Sequence, residues 1–242
     1  MEIFTQAGGA MLSRWGHYLA GVTWIGLLYY FNFVQVPSFA QFDAASRSDA
    51  VTKLVPRALW WFRFAAVLTV LTGIAILGFN EQLSGGAYFK TAPGISIATG
   101  ILLALVMFAN VWGVIWPKQR IVIASAEQVA AGGQPDPEAA AAGRKALLAS
   151  RTNTLLSIPM LFFMGFTSHL SGVYELTPKG GERGLYWAVT LLVVVLIELN
   201  GTGRIGGTAP GPTKAYLETH KNTIIAGFAL WGFFILFWEL LF

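Results

Sequence analysis

The sequence predicts an all-α fold, a polytopic bundle of about six transmembrane helices. Composition is the first reason, because 55% of the 242 residues are hydrophobic and only 12% are charged, against roughly 25% charged in soluble domains. The second is a series of six apolar runs, most of them near the roughly 20 residues that a helix needs to cross a bilayer. The third is the nine tryptophans, which are enriched where helices meet the membrane interfaces. We therefore expect a single transmembrane domain over residues 1–242, with the lipid bilayer as its surroundings.

The six runs are separated by connections of unequal length. In chain order the predicted spans are 10–36, 58–79, 93–116, 154–172, 184–199 and 216–242. The longest connection, 117–153, contains a Gly- and Pro-rich turn followed by an Ala-rich segment that is predicted to continue as a helix into the fourth span. The run 201–206, Gly-Thr-Gly-Arg-Ile-Gly, has the spacing of a dinucleotide-binding motif. It follows a span and precedes two prolines, which predicts a loop instead.

Basic residues concentrate at one end of the predicted bundle. The first, third and fifth connections hold eleven Lys and Arg residues, whereas the opposite end holds four. The eleven are Arg47, Lys53, Arg57, Lys118, Arg120, Arg144, Lys145, Arg151, Arg204, Lys214 and Lys221. Because cytoplasmic loops carry the excess of Lys and Arg, the 117–153 connection is predicted to be cytoplasmic and both termini to face outward (N-out/C-out). In a bacterium this topology corresponds to a multi-pass protein of the inner (cytoplasmic) membrane.

Charge and cysteine content exclude several classes of function. The formal net charge is only +4, and its basic residues lie between apolar runs, so no nucleic-acid partner is expected. The chain has no cysteine, which excludes disulfides, Cys-ligated iron–sulfur clusters and an attachment site for c-type haem.

Two of the three histidines lie inside predicted spans at a similar depth. From the predicted topology, His17 lies roughly 9 Å and His169 roughly 5 Å below the outer surface, at 1.5 Å per residue. His220 is at the opposite end of the bundle. An ionisable residue inside a span is costly, and it therefore points to a functional site.

Paired histidines on two helices predict a b-type haem. Imidazole is a common axial ligand of haem iron, and helical bundles build cofactor sites between facing helices. Gly21 and Gly165 lie four residues from His17 and His169, which leaves room on each helix face for a flat macrocycle. Trp24, seven residues after His17, is expected to line the same slot. One alternative is that each histidine only forms a hydrogen bond with a carbonyl or a serine. The other is that the histidines bind another metal such as copper.

Two charged residues lie in other spans, in the half of the bundle opposite to His17 and His169. Arg63 lies in the second span and Glu198 in the fifth, both toward the basic end. A charge inside a bilayer nearly always has a partner. The sequence therefore predicts a buried ion pair between them, with a polar pocket for a substrate or proton as the alternative.

Three segments resemble a known family. They are RWGHYLAGVTWIGLLYYFNFV at 14–34, ALWWFRFAAVLTVLTG at 58–73 and SRTNTLLSIPMLFFMGFTSH at 150–169. Together they resemble the membrane-embedded N-terminal domain of bacterial urate oxidases of the PuuD type (the urate hydroxylase family), over most of the chain up to about residue 172. The resemblance implies that electrons pass from a substrate to a fused C-terminal cytochrome c domain. The 242 residues contain no such domain, so the electron acceptor is expected to be a separate protein.

These observations predict a membrane-embedded b-type haem oxidoreductase or oxidoreductase subunit. It would transfer electrons between a small-molecule donor and a separate periplasmic cytochrome c or a larger membrane complex. One alternative is a non-catalytic accessory subunit of a multi-subunit, respiratory-type membrane complex. Another is a copper or small-solute permease.

Overall fold

Six long helices make up most of the protein. The computed structural model describes residues 1–174 and 177–242. The helices are α1 (Gln6–Phe39), α2 (Ala44–Phe79), α3 (Ala92–Ala130), α4 (Ala139–His169), α5 (Gly180–Gly201) and α6 (His220–Leu241). Short helical turns lie at Glu2–Phe4, Tyr88–Lys90, Ser171–Val173, Pro212–Lys214 and Ala215–Glu218. All six helices are long and apolar enough to span a membrane, and the described residues contain no strand, which confirms the predicted all-α membrane bundle.

Helices α2, α3 and α4 extend beyond the apolar runs that predicted them. Helix α3 continues to Ala130 and α4 begins at Ala139, so most of the predicted 117–153 connection is helical. Only residues 131–138 connect the two helices. Apolar periodicity locates the part of a helix that faces lipid or core, whereas a helix continues until a cap or breaker ends it. At the start of α2, the Asp43 carboxylate accepts a hydrogen bond from the Ser46 N–H at 2.9 Å, a position that sequence hydropathy does not mark.

A wide, π-helical turn interrupts each of the first three helices. These turns are Tyr30–Gln35, Ala50–Leu54 and Val111–Ile115. Each is followed within two residues by a proline, namely Pro37, Pro56 or Pro117. A proline ring has no N–H and clashes with the carbonyl four residues earlier. A wider turn relieves that clash, so the prolines account for the position of all three turns.

Helix α4 lies at the centre of the bundle. In its most apolar stretch 72% of the residues are buried, compared with 22% for α5 and for α6. Pro159 removes the hydrogen bond to the Leu155 carbonyl, yet the helix continues through it. A Cβ added to Gly227 of α6 would lie 3.0 Å from the Leu155 oxygen. The glycine thus lets α6 approach the carbonyl that the proline leaves without its helical partner.

The connections alternate between the two ends of the bundle. Arg144, near the start of α4, donates to the Thr208 carbonyl and to Glu218, which joins the third and fifth connections at one end. We call this the basic end, because it carries the eleven basic residues named above. At the opposite end, Gln6 donates to the Phe79 carbonyl at 2.7 Å. The two termini of the chain both lie at that opposite end.

Candidate functional site

His17 is fixed by the neighbouring helix α2. Its Nδ1 lies 2.9 Å from the Thr69 carbonyl oxygen and 3.1 Å from the Thr72 hydroxyl. A carbonyl can only accept, so the short contact places the proton on Nδ1 and leaves Nε2 with its lone pair. Gly73 makes room for the ring, since a Cβ there would lie 3.3 Å from its Cε1. The imidazole is half-buried and is held in one tautomer and one orientation.

His169 has a different environment. It is the last residue of α4 and is exposed. No hydrogen bond to its ring is present among the described residues. His17 packs against α2, and no described contact joins it to His169. The structure therefore places both histidines toward the end that holds the termini, and it does not bring their rings into direct contact.

The glycines beside the histidines are both open. A Cβ added to Gly21 or to Gly165 would meet no atom of the described residues within 4 Å. Trp24 differs, because its side chain is only 1% exposed and belongs to the apolar core. Its indole N–H is buried and has no hydrogen-bond partner within residues 1–174 and 177–242. Trp24 thus packs against protein, whereas the two glycines face open space where a flat group could lie.

A buried polar segment of α4 is the part of the site that the sequence does not reveal. Six polar residues there are buried: Ser150, Arg151, Thr152, Asn153, Thr154 and Ser157. Asn32 of α1 donates to the Ser150 hydroxyl at 2.8 Å, and the Tyr29 hydroxyl lies 2.9 Å from that of Ser157. On the other side, Asn153 donates to the Met107 carbonyl of α3 at 2.9 Å. Four of the six residues lie in the predicted 117–153 connection, and only Thr154 and Ser157 lie inside the predicted fourth span, so hydropathy did not indicate their burial. The segment marks where α1 and α3 are hydrogen-bonded to α4.

The polar segment of α4 lies within a longer stretch of the chain that resembles a known family. Residues 87–198 match the family model described as "Urate oxidase N-terminal". This stretch is similar to the N-terminal domain of urate oxidases. The predicted resemblance is therefore confirmed. No curated protein and no solved structure matches the chain.

The urate oxidase N-terminal segment contains only part of the predicted site. It includes α3, α4 and most of α5, with His169, Gly165 and Glu198. It extends past the predicted limit near residue 172, and it contains the third of the three resembling segments. The first two segments, with His17 and Arg63, lie before it.

Arg63 and Glu198 have separate partners. The Arg63 guanidinium carbon lies 3.7 Å from the centre of a Trp116 ring and 5.7 Å from that of Trp112. Glu198 instead accepts a hydrogen bond from the Asn110 amide at 2.9 Å. The ion pairs among the described residues do not include Arg63 with Glu198. The structure thus replaces the predicted pair with a cation over aromatic rings and a carboxylate on an amide.

The titratable side chains offer few metal ligands. No group of three or more His, Cys, Asp or Glu residues lies close enough to hold a metal ion in the part of the chain that the structure describes. A haem iron takes four ligands from its porphyrin, and so it needs only one or two side chains. The two histidines are chemically suited to that role, with the open glycines beside them.

Proposed function

We propose that this protein is a membrane-embedded b-type haem protein with His17 and His169 as axial ligands. It would transfer electrons between a small-molecule donor and a separate periplasmic cytochrome or larger membrane complex. The observation that carries the proposal is the state of the His17 ring, whose Nδ1 bonds to the Thr69 carbonyl at 2.9 Å. Metal-ligating histidines almost always donate their second ring N–H to such a carbonyl or to a carboxylate.

The hydrogen bond to Thr69 prepares His17 as a ligand. It keeps the proton of the neutral ring on Nδ1, so the lone pair of Nε2 can bind a metal ion without a change of tautomer. The Thr72 hydroxyl, at 3.1 Å from Nδ1, limits rotation of the ring. Because Thr69 and Thr72 both belong to α2, the position of the first ligand is set by the packing of α1 against α2.

His169 and the two glycines would complete the site. The exposed His169 ring can reach a group that lies beside α4, and Gly165 leaves the helix face one turn below it open. Gly21 leaves the corresponding face of α1 open. Bound haem supplies reversible one-electron chemistry at the iron. The residues of this chain would hold the ring between helices, exclude water from one side and present one edge near the end that carries the termini.

The direct test is the visible spectrum of the purified chain with single histidine replacements. We expect a low-spin b-type spectrum for the native chain. His17→Ala or His169→Ala should abolish it or leave a weakly held five-coordinate haem. His220→Ala is the matched control, because His220 lies at the basic end, and it should keep the spectrum.

The glycines test the slot without changing a ligand. Gly21→Leu and Gly165→Leu should lower the haem content by filling the open faces. Gly26→Leu is the control, since Gly26 lies on the same helix as Gly21 and its added Cβ also has no described atom within 4 Å. A native chain without a Soret band, prepared where other b-type haems survive, would contradict the proposal.

A further inference from the structure

A large cavity lies at the basic end, away from both histidines of the proposed haem site. Its volume is about 970 Å³, and helices α1, α2, α3 and α4 all contribute to its walls. The inner walls are buried and apolar, with Phe31, Leu59 and Ile115 among them. Its mouth includes the exposed Phe42 and Arg47. Cavities of this size that are mostly apolar with a few polar groups are typical of small-molecule sites.

Two buried side-chain oxygen atoms in this cavity have no hydrogen-bond partner among the described residues. Asn32, only 1% exposed, donates its amide to the Leu28 carbonyl and to Ser150, at 2.9 and 2.8 Å. The Leu28 carbonyl can only accept, so this contact fixes which end of the amide is nitrogen. The Asn32 Oδ1 is therefore an acceptor. Like Gln35 Oε1, it is buried and has no partner in the part of the chain that the structure describes. A buried acceptor without a hydrogen bond lowers the stability of the fold. Either oxygen could therefore accept a hydrogen bond from a bound molecule.

The charge of the lining has one sign. Among the described residues that form the cavity, the only charged side chains are Arg47 and Arg144. Arg144 is bonded to Glu218 at 2.5 Å. The Arg47 guanidinium has no hydrogen-bond partner in the described part of the chain and lies at the mouth. The cavity therefore combines acceptors in its interior with a positive charge at its opening.

The backbone is irregular at the same place. The three π-helical turns contribute Asn32, Gln35, Val51 and Ile115 to the cavity wall. Turns of this kind are frequent at functional sites, because they re-aim side chains that a regular helix would direct elsewhere. In α1 the turn brings Asn32 and Gln35, three residues apart, to the same wall.

We infer that this cavity binds a hydroxylated aromatic carboxylate. The hydroxyl group has one proton to donate, and it would donate it to the unpartnered Oε1 of Gln35, while the ring would pack against the apolar wall. The carboxylate would pair with the Arg47 guanidinium, whose fork geometry suits a planar carboxylate. The inference does not depend on haem, since none of these residues belongs to the proposed haem site.

Binding of 4-hydroxycinnamate to the full chain in phosphatidylcholine nanodiscs tests the inference. Cinnamate lacks the hydroxyl group, and methyl 4-hydroxycinnamate lacks the charge. By isothermal titration calorimetry we expect saturable binding of 4-hydroxycinnamate. Each of the two analogues should bind about five- to tenfold more weakly, the loss typical of one hydrogen bond or one charge contact.

Two variants assign each preference to one side chain. Gln35→Leu should remove the preference for the hydroxyl group and keep that for the carboxylate, whereas Arg47→Gln should do the reverse. Gln41→Leu and Arg57→Gln are the controls. Gln41 lies just after α1 and Arg57 lies in α2, and both are exposed residues that do not line the cavity. Replacing an unpartnered acceptor by an apolar group of similar size is neutral or stabilising, so Gln35→Leu should fold, and Gln35→Met serves as its substitute.

Several outcomes would overturn the inference. One is the absence of saturable binding of 4-hydroxycinnamate at up to millimolar concentration. Another is equal binding of all three compounds, which would indicate an apolar cavity filled by lipid or water. A third is a change in affinity that is the same in the cavity variants and in their controls.

Discussion

The two charged side chains Glu198 and Arg63 have different kinds of partner inside the helices. Asn110 donates to Asn153 and to Glu198, at 3.0 and 2.9 Å, so an amide network replaces water for the carboxylate. Arg63 lies over the Trp116 ring at 3.7 Å, and aromatic faces attract a cation most strongly where water is excluded. A charge within a span therefore needs a partner, and that partner need not be an opposite charge.

Arg63 supplies a prediction at this scale. In a double-mutant cycle for unfolding, Arg63→Met and Trp116→Leu should couple by about 1 kcal/mol, the usual size of a partly desolvated cation–π contact. The matched cycle of Arg63→Met with Glu198→Gln should be additive within about 0.5 kcal/mol. Strong coupling in the second cycle and none in the first would restore the ion pair that the sequence predicts.

At the scale of elements, side chains hold the α5–α6 connection against α4. Arg151 donates to the Leu217 and Glu218 carbonyls at 2.7 and 2.6 Å. The run 201–206 forms the turn after α5, and Gly203 and Gly206 have φ angles of 79° and 74°, which favour glycine. The predicted loop is confirmed, and the spacing that suggests a dinucleotide motif belongs to this turn.

The Arg144–Glu218 pair predicts a pH dependence of stability. The hydrogen bond from Arg144 lowers the pKa of the Glu218 carboxyl below its ordinary value of 4.5. A carboxyl with a lowered pKa stabilises the fold above its ordinary pKa, and the contribution is lost as the pH falls through the lower value. Glu218→Gln should therefore cost about 1 kcal/mol near pH 7. The difference from the native chain should shrink below pH 4.5.

The exposed pair of Lys53 and Asp49 is the control for this measurement. Its two side chains are 72% and 69% exposed, so Asp49→Asn should change the thermal midpoint little at any pH. Circular dichroism of the detergent-solubilised chain between pH 3 and pH 7 follows both variants. A Glu218→Gln difference that grows as the pH falls would contradict the assignment.

For the molecule as a whole, the positions of the connections support one topology. The cavity lining joins the α1–α2 connection with residues around 129–139, and Arg144 joins the α3–α4 and α5–α6 sides. All three connections with many basic residues thus lie at one end. The positive-inside rule compares the Lys and Arg content of the two membrane faces. Because the three basic connections lie at one end, their charges count together toward one face.

Insertion of a small epitope tests the orientation. We predict that a tag near Gly133, in the 131–138 connection, is accessible only after a bacterial host's inner membrane is permeabilised. A tag near Gly86, in the α2–α3 connection, is the matched control and should be accessible from the periplasm. The opposite pattern would reverse the orientation of the bundle and place both histidines of the proposed haem site toward the cytoplasm.

The sequence alone determined the class of fold, the number and order of the helices and the family that residues 87–198 resemble. These properties depend on the length of each apolar run and on the order of residues along the chain, and both can be obtained from a single sequence. Only the tertiary structure decided that Arg63 pairs with Trp116, that Glu198 pairs with Asn110 and that Trp24 is enclosed in the core. It also decided that the three π-helical turns surround one cavity. These contacts join residues far apart in the sequence, and they depend on the rotation and tilt of each helix, which packing against its neighbours sets.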